Sequence, residues 1–194
     1  GCPKNRVDTE RLLGSLGVAL VPVESPDEAE LVFINTCAFI QPATEESVRT
    51  IAQAIADIEE LPKRPLLAVA GCLVGRYHAE DLAPELPEVD LWLDNSDLEA
   101  WPAMLARKLG LPEPTVPGRI LSTGPSYAWL KISDGCRHAC SFCAIPNIRG
   151  GHRSHCKDMI VREARALLDQ GVKELNLVAQ DLTEWGCDLD GKQD

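Results

Sequence analysis

The stretch Tyr127-Ala-Trp-Leu-Lys-Ile-Ser-Asp-Gly-Cys-Arg-His-Ala-Cys-Ser-Phe-Cys143 joins an apolar run to a loop with three closely spaced cysteines. Cys136, Cys140 and Cys143 offer three thiolates, whereas a cube-type 4Fe-4S cluster is normally held by four. A cluster with three protein ligands keeps one iron open, and an open iron can bind a substrate or cofactor. The spacing therefore predicts a catalytic iron–sulfur centre in this loop.

Two other interpretations of the three cysteines stay open. Zinc could take the three thiolates together with His138 or His152 as a fourth ligand. A disulfide with one spare thiol is the other, although nothing in the chain resembles a secreted protein.

The residues around this loop predict one βαβ crossover, which is the start of a β/α barrel. Its parts are the strand Tyr127–Ile132, the loop Ser133–Gly151, the helix Lys157–Gln170 capped by Gly171, and the strand Lys173–Ala179. The cysteine loop then lies at the C-terminal end of the first strand, where such barrels keep their chemistry.

The preceding residues predict an open α/β domain with a parallel sheet over residues 1–109, because short apolar runs alternate with helical patterns. The predicted strands are Val18–Pro22, Leu31–Asn35, Leu66–Ala70 and Val89–Leu93. The predicted helices are Arg6–Leu16, Thr44–Leu61, Arg76–Leu82 and Asp97–Leu109, the last with Pro102 in its first turn or at a kink. Residues 110–125 are rich in Pro and Gly and predict a linker, so residues 126–194 form the second unit.

Composition narrows the class of protein. The 194 residues are 45% hydrophobic and 25% charged, as in an ordinary globular protein, and no apolar run is long enough to span a membrane. Eight cysteines without a secretory signal indicate a reducing compartment, which we expect to be the cytoplasm. A net charge of −11 argues against a nucleic-acid surface and favours a basic protein partner.

Three more cysteines occupy equivalent places in the first unit. Cys37 and Cys72 each follow a predicted strand, and Cys2 would follow a strand that precedes Gly1. The carboxyl ends of parallel strands meet at one edge of a sheet, so three thiolates there can converge. A single buried cysteine is common in any core, but three in equivalent positions predict a second cluster.

The spacing C-x3-C-x2-C with Phe142 before the last cysteine resembles the signature of the radical S-adenosylmethionine (SAM) enzymes. In those enzymes the open iron binds SAM, and the reduced cluster cleaves it to a 5′-deoxyadenosyl radical. Together with three widely spaced cysteines in an N-terminal α/β domain, the chain resembles the methylthiotransferase family over nearly its whole length. The matching blocks are Gly1-Cys-Pro-Lys-Asn-Arg-Val-Asp-Thr-Glu10, Asn35-Thr-Cys-Ala38, Ala70-Gly-Cys72 and Ile145-Pro-Asn-Ile-Arg-Gly150.

The resemblance implies two 4Fe-4S clusters, one on Cys136, Cys140 and Cys143 and one on Cys2, Cys37 and Cys72, with SAM as cofactor. It implies replacement of a C–H bond by C–SCH₃, with an electron donor such as a flavodoxin or ferredoxin. The Cys-Pro-Lys-Asn block is similar to the branch that modifies an aspartate of a small-subunit ribosomal protein; the alternative is the branch that modifies adenosine in tRNA. No catalytic residue beyond the cluster ligands is expected.

Phe142, Gln180 and Asp181 are the expected SAM contacts, since the latter two resemble a family block at the end of the second barrel strand. One block departs from the pattern, because His155 and Cys156 stand where the family has Arg and Pro, although Arg153 could supply the cation. Cys156 and Cys187 are expected to be bystanders, and His138 and His152 to be loop residues.

Both ends of the chain lead us to expect a piece of a larger protein, inactive alone because it holds only the start of a barrel. A different class of function also stays open, namely an electron-transfer or scaffold protein that only carries clusters. Such a protein would normally close each cluster with four ligands.

Overall fold

The computed structural model describes residues 1–17, 20–114 and 118–189. Its first part is a three-stranded parallel sheet in the order β1-β2-β3, formed by Leu31–Thr36, Leu66–Gly71 and Leu91–Leu93. The predicted parallel α/β fold is therefore confirmed.

Helices cover both faces of this sheet. They are α1 (Pro3–Leu16), α2 (Gln41–Glu59), α3 (Cys72–Tyr77), α4 (Ala79–Leu82) and α5 (Trp101–Leu109). The side chains of the central strand β2 point alternately into two cores, one on each face of the sheet. Leu67 and Val69 pack with Ile51 of α2, while Ala68 and Ala70 pack on the side of α1 and α5. A strand buried on both faces reads as a continuous apolar run, which is why these strands can be predicted.

The second part is the predicted crossover. Strands β4 (Tyr127–Lys131) and β7 (Glu174–Val178) pair in parallel, and α7 (Lys157–Asp169) connects them. Gly171, with a φ of 90°, follows the end of α7 as expected. Leu130 and Leu167 anchor its core.

The segment between β4 and α7 is more ordered than the predicted loop Ser133–Gly151. Strands β5 (Ser133–Asp134) and β6 (Arg153–Ser154) pair antiparallel and close its base, and α6 (Ile145–Arg149) runs between them. Pro146 in the first turn of α6 costs no hydrogen bond, so the short helix forms despite its proline.

The prediction of one helix over Arg76–Leu82 is wrong. The chain instead turns at Gly71, enters α3 at once, and breaks at His78, whose φ of 61° separates α3 from α4. The helix predicted from Asp97 begins at Trp101, with Pro102 in its first turn, after a single 3-10 turn at Asn95–Asp97.

The remaining helix predictions are close, since α1 and α2 each begin three residues earlier than expected. The predicted strand Val18–Pro22 lies partly outside the described residues. Its described part, residues 20–22, is not in a strand, and Val21 is exposed.

Buried ion pairs join the two parts. Glu10 of α1 accepts from Arg119 at 2.7 Å, and Arg119 also pairs with Glu163 of α7 at 2.9 Å. Gly14 of α1 and Gly118, which precedes Arg119, allow the two backbones to touch. A methyl group on either glycine would overlap the opposite backbone. The two parts therefore have a fixed junction.

Candidate iron–sulfur site

The structure brings the side chains of Cys2, Cys37 and Cys72 together at the carboxyl edge of the parallel sheet. Cys2 directly precedes α1, Cys37 follows β1, and Cys72 follows β2. The sulfurs of Cys2 and Cys72 lie 3.5 and 3.6 Å from one atom, Oδ1 of Asn5. Cys37 lies close enough to Cys72 for each to influence the pKa of the other. The predicted convergence of strand ends thus places the three side chains beside each other.

Cys37 and Cys72 differ in pKa. The hydrogen bond from the Cys72 thiol outweighs burial and lowers the pKa of Cys37 to about 5. The same hydrogen bond, together with burial, raises the pKa of Cys72. Arg149 favours the thiolate in both cases. The two sulfurs thus differ in how readily they lose a proton.

Cys136, Cys140 and Cys143 lie in the segment between β5 and α6. The backbone N–H of Cys136 donates to the Gly150 carbonyl at 3.2 Å, and that of Cys143 to the Cys140 carbonyl at 3.0 Å. Gly135 has a φ of 67°, and a side chain there would overlap the backbone of Gly151. The loop is thereby folded back on itself, with Cys140 exposed.

The two cysteine groups sit on adjoining elements. Cys72 is the first residue of α3, and Cys143 comes two residues before α6. α3 and α6 pack closely, because Gly75 faces the carbonyl oxygen of Ile148 with no room for a side chain. Neither group has all three sulfurs within 4.8 Å of one another in the part of the chain that the structure describes. That spacing is wider than the ligands of one zinc ion need.

A buried ionic group lies behind the cysteines. Its members are almost fully buried side chains from both parts of the chain: Asp8, Lys131, Asp134 and Arg149. Lys131 pairs with both carboxylates, at 2.8 Å for Asp134, and Arg149 pairs with them at 3.0 to 3.1 Å.

Opposite charges control the protonation of this group. Burial alone would raise the pKa of Asp134, but Lys131 and Arg149 outweigh it and hold that pKa well below its usual range. Burial likewise opposes the charge of Arg149, but Asp134 and Asp8 raise its pKa. Sequence analysis missed these residues, and the only signal was a lysine inside the apolar run of β4.

The expected SAM contacts differ in their surroundings. Gln180 lies just beyond β7, and its Nε2 is buried with no hydrogen-bond partner among the described residues. Asp181 accepts from the Thr183 hydroxyl at 2.6 Å and lies 3.1 Å from His138; hydrogen bonds from Thr183 and His138 lower its pKa. Phe142 is 88% exposed.

His155, where the family pattern has arginine, is turned away from the cysteines. It lines a cavity of about 1050 Å³ between α1 and α7, and none of the six cysteines of the two groups lines this cavity. Burial lowers the pKa of His155 to about 4, and Arg11 and Lys131 add to that effect. Arg153 is exposed and lines the same cavity, while Cys156 directly precedes α7.

Two further groups of side chains have ligand atoms close enough together to hold a metal ion. They are His138, Asp181 and Glu184, and His152, Cys187 and Asp188. His138 and His152 thus contact carboxylates at 3.1 and 3.5 Å. The placement of His138 and His152 as loop residues holds in the structure, since neither lies in a helix or strand.

Comparison with known proteins identifies a family match and several relatives of this chain. Residues 1–94 match the family described as "Uncharacterized protein family UPF0004". The protein named "Ribosomal protein uS12 methylthiotransferase RimO" of Nitratidesulfovibrio vulgaris is 70% identical over 189 residues, which are 97% of this chain and 44% of that protein. The chain is RimO-like over almost its whole length.

Other RimO proteins match over the same extent. That of Oleidesulfovibrio alaskensis is 62% identical over 97% of this chain and 44% of its own length, and that of a Sulfurihydrogenibium species is 48% identical over 99% and 43%. The chain thus spans less than half the length of these RimO relatives.

No helix in the described residues is long and apolar enough to cross a membrane.

Proposed function

We propose that the protein carrying this chain is a radical SAM methylthiotransferase that modifies a small-subunit ribosomal protein, the activity for which its RimO relatives are named. We assign the β-carbon of an aspartate as the site that receives the methylthio group. The observation that carries the proposal is the convergence of Cys2, Cys37 and Cys72 at one sheet edge, beside the helix that follows the second cysteine group.

The donor set suits iron–sulfur clusters. Cys136, Cys140 and Cys143 would hold one cluster, and the converging cysteines of the first part would hold the other. Sulfur is the ligand that such clusters take, and ligands on different irons lie farther apart than ligands of a single ion. In addition, Nδ2 of Asn95 lies 3.9 Å from the sulfur of Cys72, so this amide offers the ligand a hydrogen-bond donor.

SAM would lie at the exposed cysteine loop, with Phe142, Gln180 and Asp181 around it. Gln180 supports this placement, since a buried amide N–H without a partner can donate to a polar group of a ligand. When bound, the clusters and SAM supply the electron, the removal of hydrogen and the sulfur. The chain itself contributes positions and charges.

Positioning follows from the packing of α3 against α6. Cys72 begins α3 and Cys143 lies two residues before α6, so open irons on the two groups could reach one substrate atom. The fixed junction through Glu10, Arg119 and Glu163 would keep the groups in register. Since the chain holds only one crossover of a barrel, we expect it to be inactive alone.

Charge supports a protein rather than a tRNA substrate. A net charge of −11 attracts a basic protein and repels phosphate. A ribosomal substrate would be met in the cytoplasm, so we expect the reaction to take place there. We also expect a flavodoxin or ferredoxin to supply the electrons.

The test uses the full-length protein, reconstituted anaerobically with iron and sulfide and supplied with SAM and a reductant. The ribosomal protein uS12, the same protein with the target aspartate changed to alanine, and tRNA are offered as acceptors. The proposal expects a methylthio mass increase on the first alone. Modification of tRNA instead, or zinc in place of iron in anaerobic protein, would contradict it.

A further inference from the structure

The side chain of Asn5 contacts two of the cysteines in the first part. This residue is 3% exposed, and its Oδ1 lies 3.5 Å from the sulfur of Cys2 and 3.6 Å from that of Cys72. One amide oxygen therefore contacts both sulfurs.

The orientation of this amide is fixed by its partners. Its Nδ2 donates to the Thr36 carbonyl at 2.6 Å and to Oδ1 of Asn35 at 3.0 Å. Its Oδ1 accepts from Nη2 of Arg149. Because a guanidinium has no acceptor, a flipped amide would set N–H against N–H, so the oxygen must face Arg149 and the sulfurs.

Arg149 is itself held in place. Its Nη1 donates to both carboxylate oxygens of Asp134 at 3.0 Å, and its Nη2 donates to Asp8 at 3.1 Å. The residue ends α6, so the same helix that follows the loop of Cys136 to Cys143 sends a cation to the other cysteine group. In a buried site such a charge acts over several ångströms with little screening.

We propose that Asn5 and Arg149 are positioning residues for the group of Cys2, Cys37 and Cys72. Arg149 orients the amide, the amide sets the spacing of two sulfurs, and the guanidinium favours the more negative, reduced state of a bound cluster. Such outer contacts govern both metal affinity and potential. The inference rests on the proposed function, because it presumes a cluster on these cysteines.

The test isolates this group in the full-length protein. Cys136, Cys140 and Cys143 are changed to alanine, and the remaining iron is counted, challenged with a chelator and titrated for its midpoint potential. Arg149→Met is compared with Lys131→Met, a matched control. Each removes one buried cation from the same two carboxylates, but only Arg149 contacts Asn5.

We expect Arg149→Met to hold iron about tenfold more weakly and to lower the potential more than Lys131→Met, which should retain iron like the parent. Asn5→Asp keeps all four charged side chains of the ionic group, so it tests the amide even if Arg149→Met does not fold. It places a negative charge beside two thiolates and should also weaken iron retention about tenfold.

Parental iron retention in Asn5→Asp, or an equal fall in potential in both methionine variants, would overturn the inference while leaving the proposed function standing. A parent protein that binds no iron on Cys2, Cys37 and Cys72 would overturn both.

Discussion

The guanidinium of Arg119 lies 2.7 Å from Oε2 of Glu10, and the two side chains are only 5% and 1% exposed. The pair joins the segment before β4 to α1, and Ser122 adds a second donor to the same carboxylate at 2.9 Å. Charges this well buried are costly to leave alone. The junction between the two parts of the chain thus depends on keeping this pair intact.

Changing Arg119 to methionine should lower the free energy of unfolding by about 3–5 kcal/mol, because Glu10 would remain buried without its partner. Urea unfolding of the full-length protein measures this loss. The control is Lys63→Met, which breaks the exposed pair with Glu30 and should cost less than about 1 kcal/mol. Equal losses in the two variants would show that the buried pair does not hold the junction.

Gly75→Ala should separate α3 from α6, because the added methyl group would overlap the carbonyl oxygen of Ile148. We expect a lower urea midpoint and a loss of methylthiotransfer by the reconstituted full-length protein, since Cys72 begins α3 and the loop of the second cysteine group leads into α6. Gly124→Ala, which meets open space at an ordinary φ, is the matched change. If both variants keep parental stability and activity, close contact of α3 and α6 is not required.

His155 should make the protein sensitive to mild acid. Burial lowers its pKa from 6.5 to about 4, so the fold prefers the neutral ring. Above about pH 6.5 the histidine does not reduce the free energy of unfolding. As the pH falls from there toward 4, the free energy of unfolding decreases by up to about 3 kcal/mol, because the unfolded chain binds a proton that the folded protein disfavours. His155→Gln should therefore lose less stability than the parent between pH 7 and pH 4, as followed by urea unfolding at each pH.

The buried carboxylate of Asp134 does not obscure this effect. Lys131 and Arg149 hold the pKa of Asp134 below its ordinary value of 3.8, so its contribution is lost only as the pH falls below that value. A parallel loss of stability in the parent and in His155→Gln above pH 4 would contradict the role given to the histidine.

Gln180→Leu should weaken SAM binding about tenfold in the full-length reconstituted protein. The substitution removes a buried amide donor that has no other partner among the described residues and would bind an acceptor of SAM. Gln170→Leu makes the same chemical change at the exposed end of α7 and should leave binding unchanged. Equilibrium dialysis with labelled SAM measures both. Unchanged binding in Gln180→Leu would remove this residue from the proposed contacts.

Much of the sheet could be predicted, because strands buried on both faces leave continuous apolar runs such as Leu66–Gly71. The convergence of Cys2, Cys37 and Cys72 could be predicted from the same rule, since parallel strands end at one edge. The turn at Gly71 and the break at His78 could not, because the residues of α3 carry neither a capping signal nor a clear helical period.

The buried ionic group was beyond sequence analysis for a different reason. Charged residues are exposed by default, and Lys131 and Asp8 are 123 positions apart in the chain. Only the tertiary structure shows that two carboxylates and two cations share one buried site. Asn5 lies in the block that Cys2 marks, and nothing in the sequence itself places its amide beside two sulfurs.

The count of iron and sulfide in the anaerobically reconstituted full-length protein tests the central claim most directly. Two cysteine groups with one cluster each predict about eight irons and eight sulfides per chain. Changing Cys2, Cys37 and Cys72 to alanine should remove half of each, and changing Cys136, Cys140 and Cys143 should remove the other half. Four irons in the parent, unchanged when the first three cysteines are replaced, would contradict a cluster at the edge of the parallel sheet.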